Sequence, residues 1–530
     1  MKIRSYIPHI IVFYTSMGVM IIEILASRIV AKHFGNSLYT WTSVIGIVLG
    51  GISLGNYIGG KLADKFKPRS IIPIQLIATS LLILLIIPLD AILYSSFQTS
   101  AASLTRGALA GSLVWVVMLF ILPATAIGTI SPVMAKFALE QKKAVGNTVG
   151  GIYAVSAVGS IAGTFLAGYF LIPLLGIRNI LFIVGGLIAV LAFAIGGYRI
   201  ISAAWIFAIS LLFFLLPSRG FSTIYHELDG AEVLFETDSE YSHILVRDVV
   251  KSGEKERQLI MDGLLHNRYD VRNPDNLLYI YEKLFDSITR IVVANRDAAS
   301  GPHSGLAYAD FTTLTLGGGA VVYPNYLKRH YPGSRNTVVE IDPEVIRIAK
   351  RYFDLPEATG REHANGLEIV NVDARRYVVS ALGKVRFNLV YLDVFDSYAI
   401  PSHLTTREFA EQMLSILAPG GLLVANCIDI FEIGGFVGAY LKTLRTVFQH
   451  VYVYMDAGSS FDRRATFVVA AGNEPFNHQV LLDKNEVQIG HRVSQADLED
   501  LLSRSPADIL TDDYAPVENL IAPVFLDNVK

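Results

Sequence analysis

Long apolar runs fill the first 217 residues and constrain the fold more than any other feature of the chain. A helix that spans a bilayer needs about 20 mostly apolar residues, and about seven runs reach that length. Lys2 and Arg4 precede the first run as in a signal peptide, but that run is too long for one and others follow it. We therefore predict a transmembrane helical bundle over residues 1–217. The predicted spans are Ile7–Val30, Trp41–Gly60, Ile71–Leu93, Ala108–Ile130, Val149–Leu175, Ile180–Tyr198 and Ile201–Leu216.

Glycines recur at four-residue spacing in the second and fifth of these runs. Small residues at this spacing share one helix face and allow two helix backbones to approach closely in lipid. We therefore predict that they serve helix packing rather than ligand binding. The glycines are Gly46, Gly50, Gly51, Gly55 and Gly59 in the second run, and Gly159 and Gly163 in the fifth.

Charged residues in the bundle bear on function and orientation. Glu23 and Arg28 lie within or at the end of the first run, and an intramembrane carboxylate indicates a functional site by default. The alternative is a buried pair, or an arginine that snorkels to the interface. The basic segments Lys61–Arg69 and Lys136–Lys143 mark the cytoplasmic side by the positive-inside rule. Counting spans forward from them places the C-terminal half outside the cytoplasm.

The overall charge and cysteine content exclude some classes of function. The net charge of −3 argues against a nucleic-acid-binding protein, which would need a basic face. Cys427 is the only cysteine, so the sequence predicts neither a disulfide framework nor a thiolate metal site.

Residues 218–530 read as a soluble sequence with two strand patterns. In 218–290, segments such as Glu232–Thr237 and His243–Val250 alternate polar and apolar residues, which predicts a small β-rich subdomain. From 291 to 530, strands alternate with helices such as Pro343–Phe353, which Asp342 opens as an N-cap. This alternation predicts a Rossmann-like α/β domain with a doubly wound, mostly parallel sheet. Its predicted strands are Thr312–Leu316, Thr337–Ile341, Leu367–Val370, Phe387–Leu392, Gly421–Asn426, Val451–Met455 and Thr466–Ala470.

Three features follow the first three strands of this domain, where such sheets bind their ligands. Gly317, Gly318 and Gly319 let a ligand approach the backbone, although a tight turn would also explain them. Glu340 can accept hydrogen bonds from both hydroxyls of a ribose, and Asp373 suits an adenine amino group. Together and in this order they predict an adenosine-containing ligand.

Two aspartates end the fourth strand. Asp393 and Asp396 are three residues apart at the mouth of the predicted cleft. Paired carboxylates can hold a cationic ligand, and one can take the proton of an amine before its nitrogen attacks carbon. The alternative is that one aspartate only caps the next helix.

These motifs, in this order, resemble the spermidine synthase (polyamine aminopropyltransferase) family, specifically its membrane-fused kind, over about residues 230–520. The resemblance implies a methyltransferase-type sheet covered by the small β-subdomain. The matching segments are Ser239-Glu-Tyr241, Met261-Asp-Gly263, Tyr281, Leu316-Gly-Gly-Gly319, Val339-Glu-Ile-Asp342, Asp373, Asp393 with Asp396, Leu404-Thr-Thr-Arg-Glu-Phe409, Ala418-Pro-Gly-Gly421 and Leu510-Thr-Asp-Asp-Tyr-Ala-Pro-Val517.

The resemblance also implies a chemistry and residue roles. Decarboxylated S-adenosylmethionine, or S-adenosylmethionine itself, would be a co-substrate and a diamine such as putrescine the acceptor, with no metal and no permanently bound cofactor. Glu340 would hold the ribose, Asp373 the adenine and Asp393 the donor's amine, while Asp396 would act as the base. The implied substrate-binding residues are Tyr241, His266 and Tyr281.

The sequence departs from the family pattern at four positions. Ala320 replaces an aspartate, Ser242 and His266 replace glutamines, and Lys283 stands where a glutamate is usual. Fewer acceptors and an added lysine make the pocket less suited to a polycation. His266 is either a replacement contact or a solvated loop histidine.

Three functions therefore remain open. The first is an aminopropyltransferase, the second an S-adenosylmethionine-dependent methyltransferase on the same fold. The third is a transporter or sensor with a non-catalytic soluble half, which Glu23 and a resemblance of Lys61–Arg69 to a major facilitator loop favour. The expected partners are a small-molecule amine, an adenosyl donor, the bilayer and a second copy of the chain, but no nucleic acid. A cytosolic donor favours a cytoplasmic position for the soluble half.

Overall fold

The fold is that of a computed structural model. It describes residues 6–35, 37–99, 108–141, 144–195, 205, 231–251, 253–300, 311–355, 366–394, 400–433, 435–505 and 509–526. The chain divides into two compact units, Met1–Ile244 with Val529 and Leu245–Asn528 with Lys530. The boundary between them falls inside a β-strand, whereas the predicted divisions at 217 and 290 remain predictions.

The first unit consists of helices that follow the apolar runs. Within the described ranges, six helical stretches are long and apolar enough to cross a membrane, and they cover the first six predicted spans. The seventh, Ile201–Leu216, lies outside the described residues apart from Trp205. The helices are α1 Ile7–Phe34, α2 Leu38–Lys65, α3 Pro68–Leu84, α4 Ile86–Thr99, α5 Ala108–Gly128, α6 Ile130–Leu139, α7 Val145–Leu166 and α8 Ile172–Ile195, with a π-helical turn at Ala167–Leu171.

Glycine faces bring two pairs of helices into backbone contact. A Cβ atom at Gly55 of α2 would overlap the Thr125 carbonyl oxygen of α5, and one at Gly163 of α7 would overlap the Met17 carbonyl oxygen of α1. Gly51, Gly59 and Gly159 make similar close approaches. The predicted packing role is therefore confirmed for these glycines. It is wrong for Gly46 and Gly50, whose missing side chains would meet nothing within 4 Å.

One polar cluster inside the bundle was not predicted. Asp90 Oδ1 lies 2.9 Å from His33 Nε2 and accepts a hydrogen bond from Trp115 Nε1 at 2.9 Å. Asp90 escapes notice in the sequence because it sits in a strongly apolar run, and its partners come from other helices. Glu23, the predicted intramembrane candidate, is partly buried in α1.

A strand of the first unit, β1 at Glu232–Asp238, contacts the helices. The guanidinium of Arg28 donates to the carbonyl of Glu240, and the amide of Ile177 donates to Asp238 Oδ2 at 3.3 Å. Arg28 therefore has a backbone partner just after β1. The end of β1 lies beside the last turns of α1 and the start of α8.

The second unit contains most of β2 and the strands and helices that follow it. Strand β2 continues from the first unit into the second, and β2, β3 and β4 are neighbours in one sheet, with β3 and β4 antiparallel. The elements are β2 His243–Lys251, β3 Glu254–Met261, β4 Leu264–Asp270, α9 Ile280–Ser300, β5 Thr312–Leu316, α10 Val322–His330, β6 Arg335–Glu340, α11 Pro343–Tyr352, β7 Leu367–Asn371, α12 Ala374–Ala381, β8 Phe387–Leu392, α13 Arg407–Ile416, β9 Leu417–Ile430, α14 Phe436–Arg445, β10 His450–Asp456, β11 Arg464–Gly472, β12 Val480–Leu482, β13 Gln488–Arg492, α15 Gln495–Arg504 and α16 Val517–Leu526.

The large sheet has nine strands in the order β12-β13-β10-β11-β9-β8-β5-β6-β7. Strand β5 pairs in parallel with both β6 and β8, and β7 and β9 extend the parallel part on either side. The strand order therefore reverses at β5. The carboxyl ends of β5, β6 and β8 meet there, which is where such sheets bind ligands.

Both faces of the parallel strands are covered. Along β8, Val390 packs in a core cluster with Phe409 of α13, and its neighbour Tyr391 packs in another cluster with Phe285 of α9. All four side chains are almost completely buried. Because neighbouring residues of a strand point to opposite faces, this burial fixes the register and the level at which each strand ends.

The glycine faces provide a paired test of the bundle packing. Gly55→Ala should destabilise the protein by about 1–3 kcal/mol, because the added methyl group overlaps backbone that cannot move freely. Gly50→Ala, one helix turn away on the open face, should change the stability little. Both can be measured as thermal unfolding midpoints of the full chain in detergent. Equal midpoints for the two variants would contradict the packing.

Candidate active site

The glycine loop after β5 is shaped by close contacts. Gly317 has a φ of 84°, and a Cβ atom there would overlap the backbone carbonyl oxygen of Asp393. Gly319 has a φ of 48°, and its Cβ would overlap Oδ1 of Asn267. Side chains rarely adopt these dihedrals, so both positions require glycine. The loop is thus pressed against the end of β8 on one side and against β4 on the other.

Glu340, the last residue of β6, holds this loop. Its Oε2 accepts hydrogen bonds from the amides of Gly318 and Gly319, each at 3.0 Å, and its Oε1 accepts one from Asp342 at 3.0 Å. Burial raises the pKa of Glu340, and these three amides oppose the rise. A carboxylate offers about four acceptor positions, so about one is left for a ligand hydroxyl.

Asn267, on β4, completes the loop and was missed by sequence reasoning. Its Oδ1 accepts a hydrogen bond from the amide of Ala320 at 2.8 Å. Nothing in the local sequence marks Asn267, because the contact joins β4 to a loop more than 50 residues away. With it, the amides of Gly318, Gly319 and Ala320 all have carboxylate or amide oxygens as acceptors.

Asp373 caps the helix that follows β7. Its Oδ1 accepts from the amide of Arg376 at 2.9 Å, and its Oδ2 lies 3.3 Å from His403 Nε2. Asp342 caps α11 as predicted, by accepting from the amide of Glu344 at 2.9 Å. The predicted contact of Asp373 with adenine remains a prediction, and the second oxygen is the one placed to make it.

The C-terminal motif is tied to the same helix. Arg375, on α12, donates to both carboxylate oxygens of Asp512 at 2.7 and 2.6 Å. Thr406 donates to Asp512 as well, at 2.7 Å. A bidentate arginine–carboxylate pair fixes orientation as well as distance. The segment that resembles the tail of fused family members therefore holds α12 in place beside Asp373.

Asp393 follows β8 and lies in a ring of polar contacts. Its Oδ1 accepts from Asn426 Nδ2 at 2.9 Å, and the hydroxyl of Tyr281 donates to the same carboxylate. Burial raises the pKa of Asp393, while the hydrogen bonds from Asn426 and Tyr281 work in the opposite direction. The predicted partner Asp396 lies outside the described residues. Asp393 and Tyr281, both predicted site residues, are thus brought together.

Glu282, beside Tyr281 on α9, is a second site residue that sequence reasoning missed. It is 1% exposed, and neither of its carboxylate oxygens has a hydrogen-bond partner within the described part of the chain. Burial, and then the charge of Asp393, raise its pKa to about 8. The sequence comparison drew attention to Lys283 instead. An amphipathic helix start gives no sign that one glutamate points inward.

The other predicted substrate-binding residues are less informative. Tyr241 belongs to the first unit, is 40% exposed and donates its amide to Ser239 Oγ. His266 is partly exposed, with Nδ1 2.9 Å from the Leu264 carbonyl oxygen. Their roles remain predictions. Across the described residues, no group of three histidine, cysteine, aspartate or glutamate side chains could hold a metal ion.

The part of the chain that contains this site is similar in sequence to known proteins. Residues 311–477 match the spermine/spermidine synthase domain. A polyamine aminopropyltransferase from Vibrio vulnificus (strain CMCP6) is 38% identical over 141 residues, which are 26% of this chain and 43% of the relative. A probable polyamine aminopropyl transferase from Bifidobacterium longum (strain NCC 2705) is 26% identical over 226 residues, 39% of this chain and 48% of the relative.

The chain spans about half the length of these curated relatives. A solved structure, a probable spermidine synthase from Corynebacterium glutamicum ATCC 13032, has 24% identity and a TM-score of 0.43, and covers 53% of this chain and 98% of that chain. The matched segment contains the glycine loop, Glu340, Asp373 and Asp393 described above. Residues 311–477 are thus similar to the spermine/spermidine synthase domain, in a chain whose N-terminal part has long apolar helices.

Proposed function

We propose that this chain is a polyamine aminopropyltransferase bound to a membrane through its N-terminal helices. It transfers the aminopropyl group of decarboxylated S-adenosylmethionine to a diamine such as putrescine. The observation that carries the proposal is the partly buried Asp393 carboxylate, held by Asn426 and Tyr281 beside the glycine loop. A negative group at that point suits the ammonium of a donor whose adenosine occupies the loop.

The reaction needs positioning and one proton transfer. The acceptor amine nitrogen forms a bond to the aminopropyl carbon next to sulfur, the carbon–sulfur bond breaks, and methylthioadenosine leaves with the bonding electrons. The attacking amine must lose a proton, which a carboxylate at the site accepts. From the sequence, Asp396 is our candidate for this base. Holding amine and donor in line accounts for most of the acceleration, because a sulfonium is already a good leaving group.

The proposed nucleoside contacts follow from the loop. Glu340 takes a ribose hydroxyl at its remaining acceptor position, and a second hydroxyl can bind if one loop amide turns to the ligand. Asp373 faces the adenine with the oxygen now near His403. Tyr281 borders the acceptor pocket through its contact with Asp393.

A direct assay tests the donor, the acceptor and Asp393 together. Full-length protein in detergent, given decarboxylated S-adenosylmethionine and putrescine, should release methylthioadenosine. Asp393→Asn should lower kcat/KM about 100-fold, since a charged hydrogen-bonding partner of the donor amine is lost. Asp500→Asn, an exposed aspartate on α15 paired with Arg504, should leave it unchanged.

Two outcomes would overturn the assignment. If no diamine leads to release of methylthioadenosine, the aminopropyltransferase function is refuted. Transfer of a labelled methyl group from S-adenosylmethionine to an amine would replace it with a methyltransferase on the same fold.

We also propose a membrane side for β1, from contacts inside the first unit. β1 lies beside Arg28 and Ile177, near the end of α1 where α2 begins. Successive spans cross in opposite directions, so Lys61–Arg69, at the end of α2, lies at the other face. If that basic segment is cytoplasmic, β1 is not. A non-cytoplasmic β1 agrees with the predicted seven spans. It conflicts with the cytoplasmic position that we expected from a cytosolic donor.

Cysteine labelling tests the side. Cys427, the only native cysteine, is buried, so maleimide labelling will come from the introduced exposed cysteine. In intact cells, a membrane-impermeant maleimide should label Glu232→Cys at the start of β1 and spare Lys67→Cys in the basic segment. The reverse pattern would place β1 in the cytoplasm. Labelling as we expect would mean that the donor must be supplied on the non-cytoplasmic side.

A further inference from the structure

Glu282 differs from Asp429, another buried acid of the second unit, in how little its charge is compensated. Asp429 is 1% exposed, but its oxygens accept from the amides of Ile430 and Val437 at 2.9 and 2.8 Å. Neither oxygen of Glu282 has a partner within hydrogen-bonding geometry among the described residues, and the backbone of Tyr279 and the charges of Arg268 and Lys283 only partly offset the effect of burial on its pKa. A buried carboxylate without partners costs several kcal/mol unless it is protonated or meets a cation. The free-energy cost of keeping this carboxylate in the core suggests that it serves to bind a cationic ligand.

The protein cation with the largest effect on the pKa of Glu282 is already paired with another acid. Arg268, on β4, is engaged by Glu256, whose oxygens lie 2.8 and 2.6 Å from its Nε and Nη2. The groups that act electrostatically on Glu282 are Asp393 from the end of β8, Arg268 from β4, and Tyr279 and Lys283 from its own segment. Burial, together with these groups, raises the pKa of Glu282 to about 8, so its carboxyl is mostly protonated at neutral pH.

The surroundings of Glu282 fit an alkylammonium group. Asp393 is close enough to interact with it, and Tyr281, next to it in sequence, donates to Asp393. Asn426, which donates to Asp393 through Nδ2, has an Oδ1 without a partner among the described residues. The site therefore offers several unused acceptors and two carboxylates. An ammonium carries three N–H donors and no acceptor, which matches this set.

We propose that Glu282 binds an ammonium group of the diamine substrate, beside the Asp393 carboxylate that we assign to the donor's amine. The proposal rests on the aminopropyltransferase function and adds a residue to it. On binding, the Glu282 carboxyl gives up its proton to solvent, and the ammonium takes its place as the positive partner. Tyr281 contacts Asp393 and helps to orient that carboxylate. Glu282 is thereby a specificity residue that favours an acceptor with a cationic amine.

Amine binding at several pH values tests the proposal. With saturating methylthioadenosine, the Kd of the full-length protein for putrescine should fall about 20-fold between pH 6.5 and 8.5, as Glu282 ionises. Glu282→Gln should bind putrescine about 10- to 100-fold more weakly at pH 8.5 and lose most of this pH dependence. Glu282→Asp should recover part of the affinity. Glu411→Gln, a control on the exposed face of α13, should behave as wild type.

Stability gives a second readout that does not depend on turnover. Because the pKa of Glu282 is raised from 4.5 in the unfolded chain to about 8, its contribution to stability is complete below pH 4.5 and is lost as pH rises toward 8. Glu282→Gln should therefore unfold at a higher temperature than wild type at pH 8, with the difference shrinking toward pH 5. A Glu282 with an unrecognised partner in the protein would give the opposite sign.

The outcomes separate this proposal from the proposed function. If putrescine binds with the expected pH dependence but no methylthioadenosine is released, the role of Glu282 in amine binding is supported and the aminopropyltransferase function is refuted. If the protein turns over and Glu282→Gln leaves both KM and its pH dependence unchanged, the role of Glu282 is refuted and the transferase stands. Failure of the wild type to bind putrescine at any pH would refute both.

Discussion

The contact of Glu340 with the glycine loop is the interaction on which the rest of the site depends. Its carboxylate accepts from the amides of Gly318 and Gly319, which ties the end of β6 to the loop after β5, and the amide of Asp342 holds its other oxygen. On the other side of that loop, Gly317 rests on the backbone of Asp393 at the end of β8. Three strand ends are thus held at one level, at the point where the strand order reverses. In the proposed function a nucleoside binds there, in space that glycine leaves free of side-chain atoms.

The acidic residues at this edge of the sheet fall into two groups according to the hydrogen-bond donors that contact their carboxylates. Glu340, Asp342 and Asp373 accept backbone amides, so their orientation is fixed before any ligand binds. Asp393 accepts from the side chains of Asn426 and Tyr281, and Glu282 has no partner within hydrogen-bonding geometry among the described residues. In the proposed function, Glu340 and Asp373 of the first group bind the nucleoside, and the second group binds amines.

Features that repeat along the chain were predictable from the sequence. Strands β5 and β8 have the predicted bounds, because both are rich in β-branched, aromatic or aliphatic residues and are followed directly by glycine or aspartate. The Asp342 cap follows from local chemistry as well. The first six apolar runs form the helices that length and composition require.

Features that depend on which side a residue faces were not predictable. Four-residue spacing groups Gly46 and Gly50 with Gly55, but only the helix packing shows which face is closed. Asn267, Glu282 and Asp90 act through partners far away in sequence, and each sits in a segment of ordinary composition. Strand β4 was missed because most of its sequence, Leu264–Asp270, is polar.

A structure of the full chain with methylthioadenosine bound would test the central claim most directly. We predict that a ribose hydroxyl lies within hydrogen-bonding distance of Glu340, with the thioether sulfur directed toward Asp393. Density for the nucleoside at another edge of the sheet, with Glu340 still bonded only to the loop amides, would contradict the account.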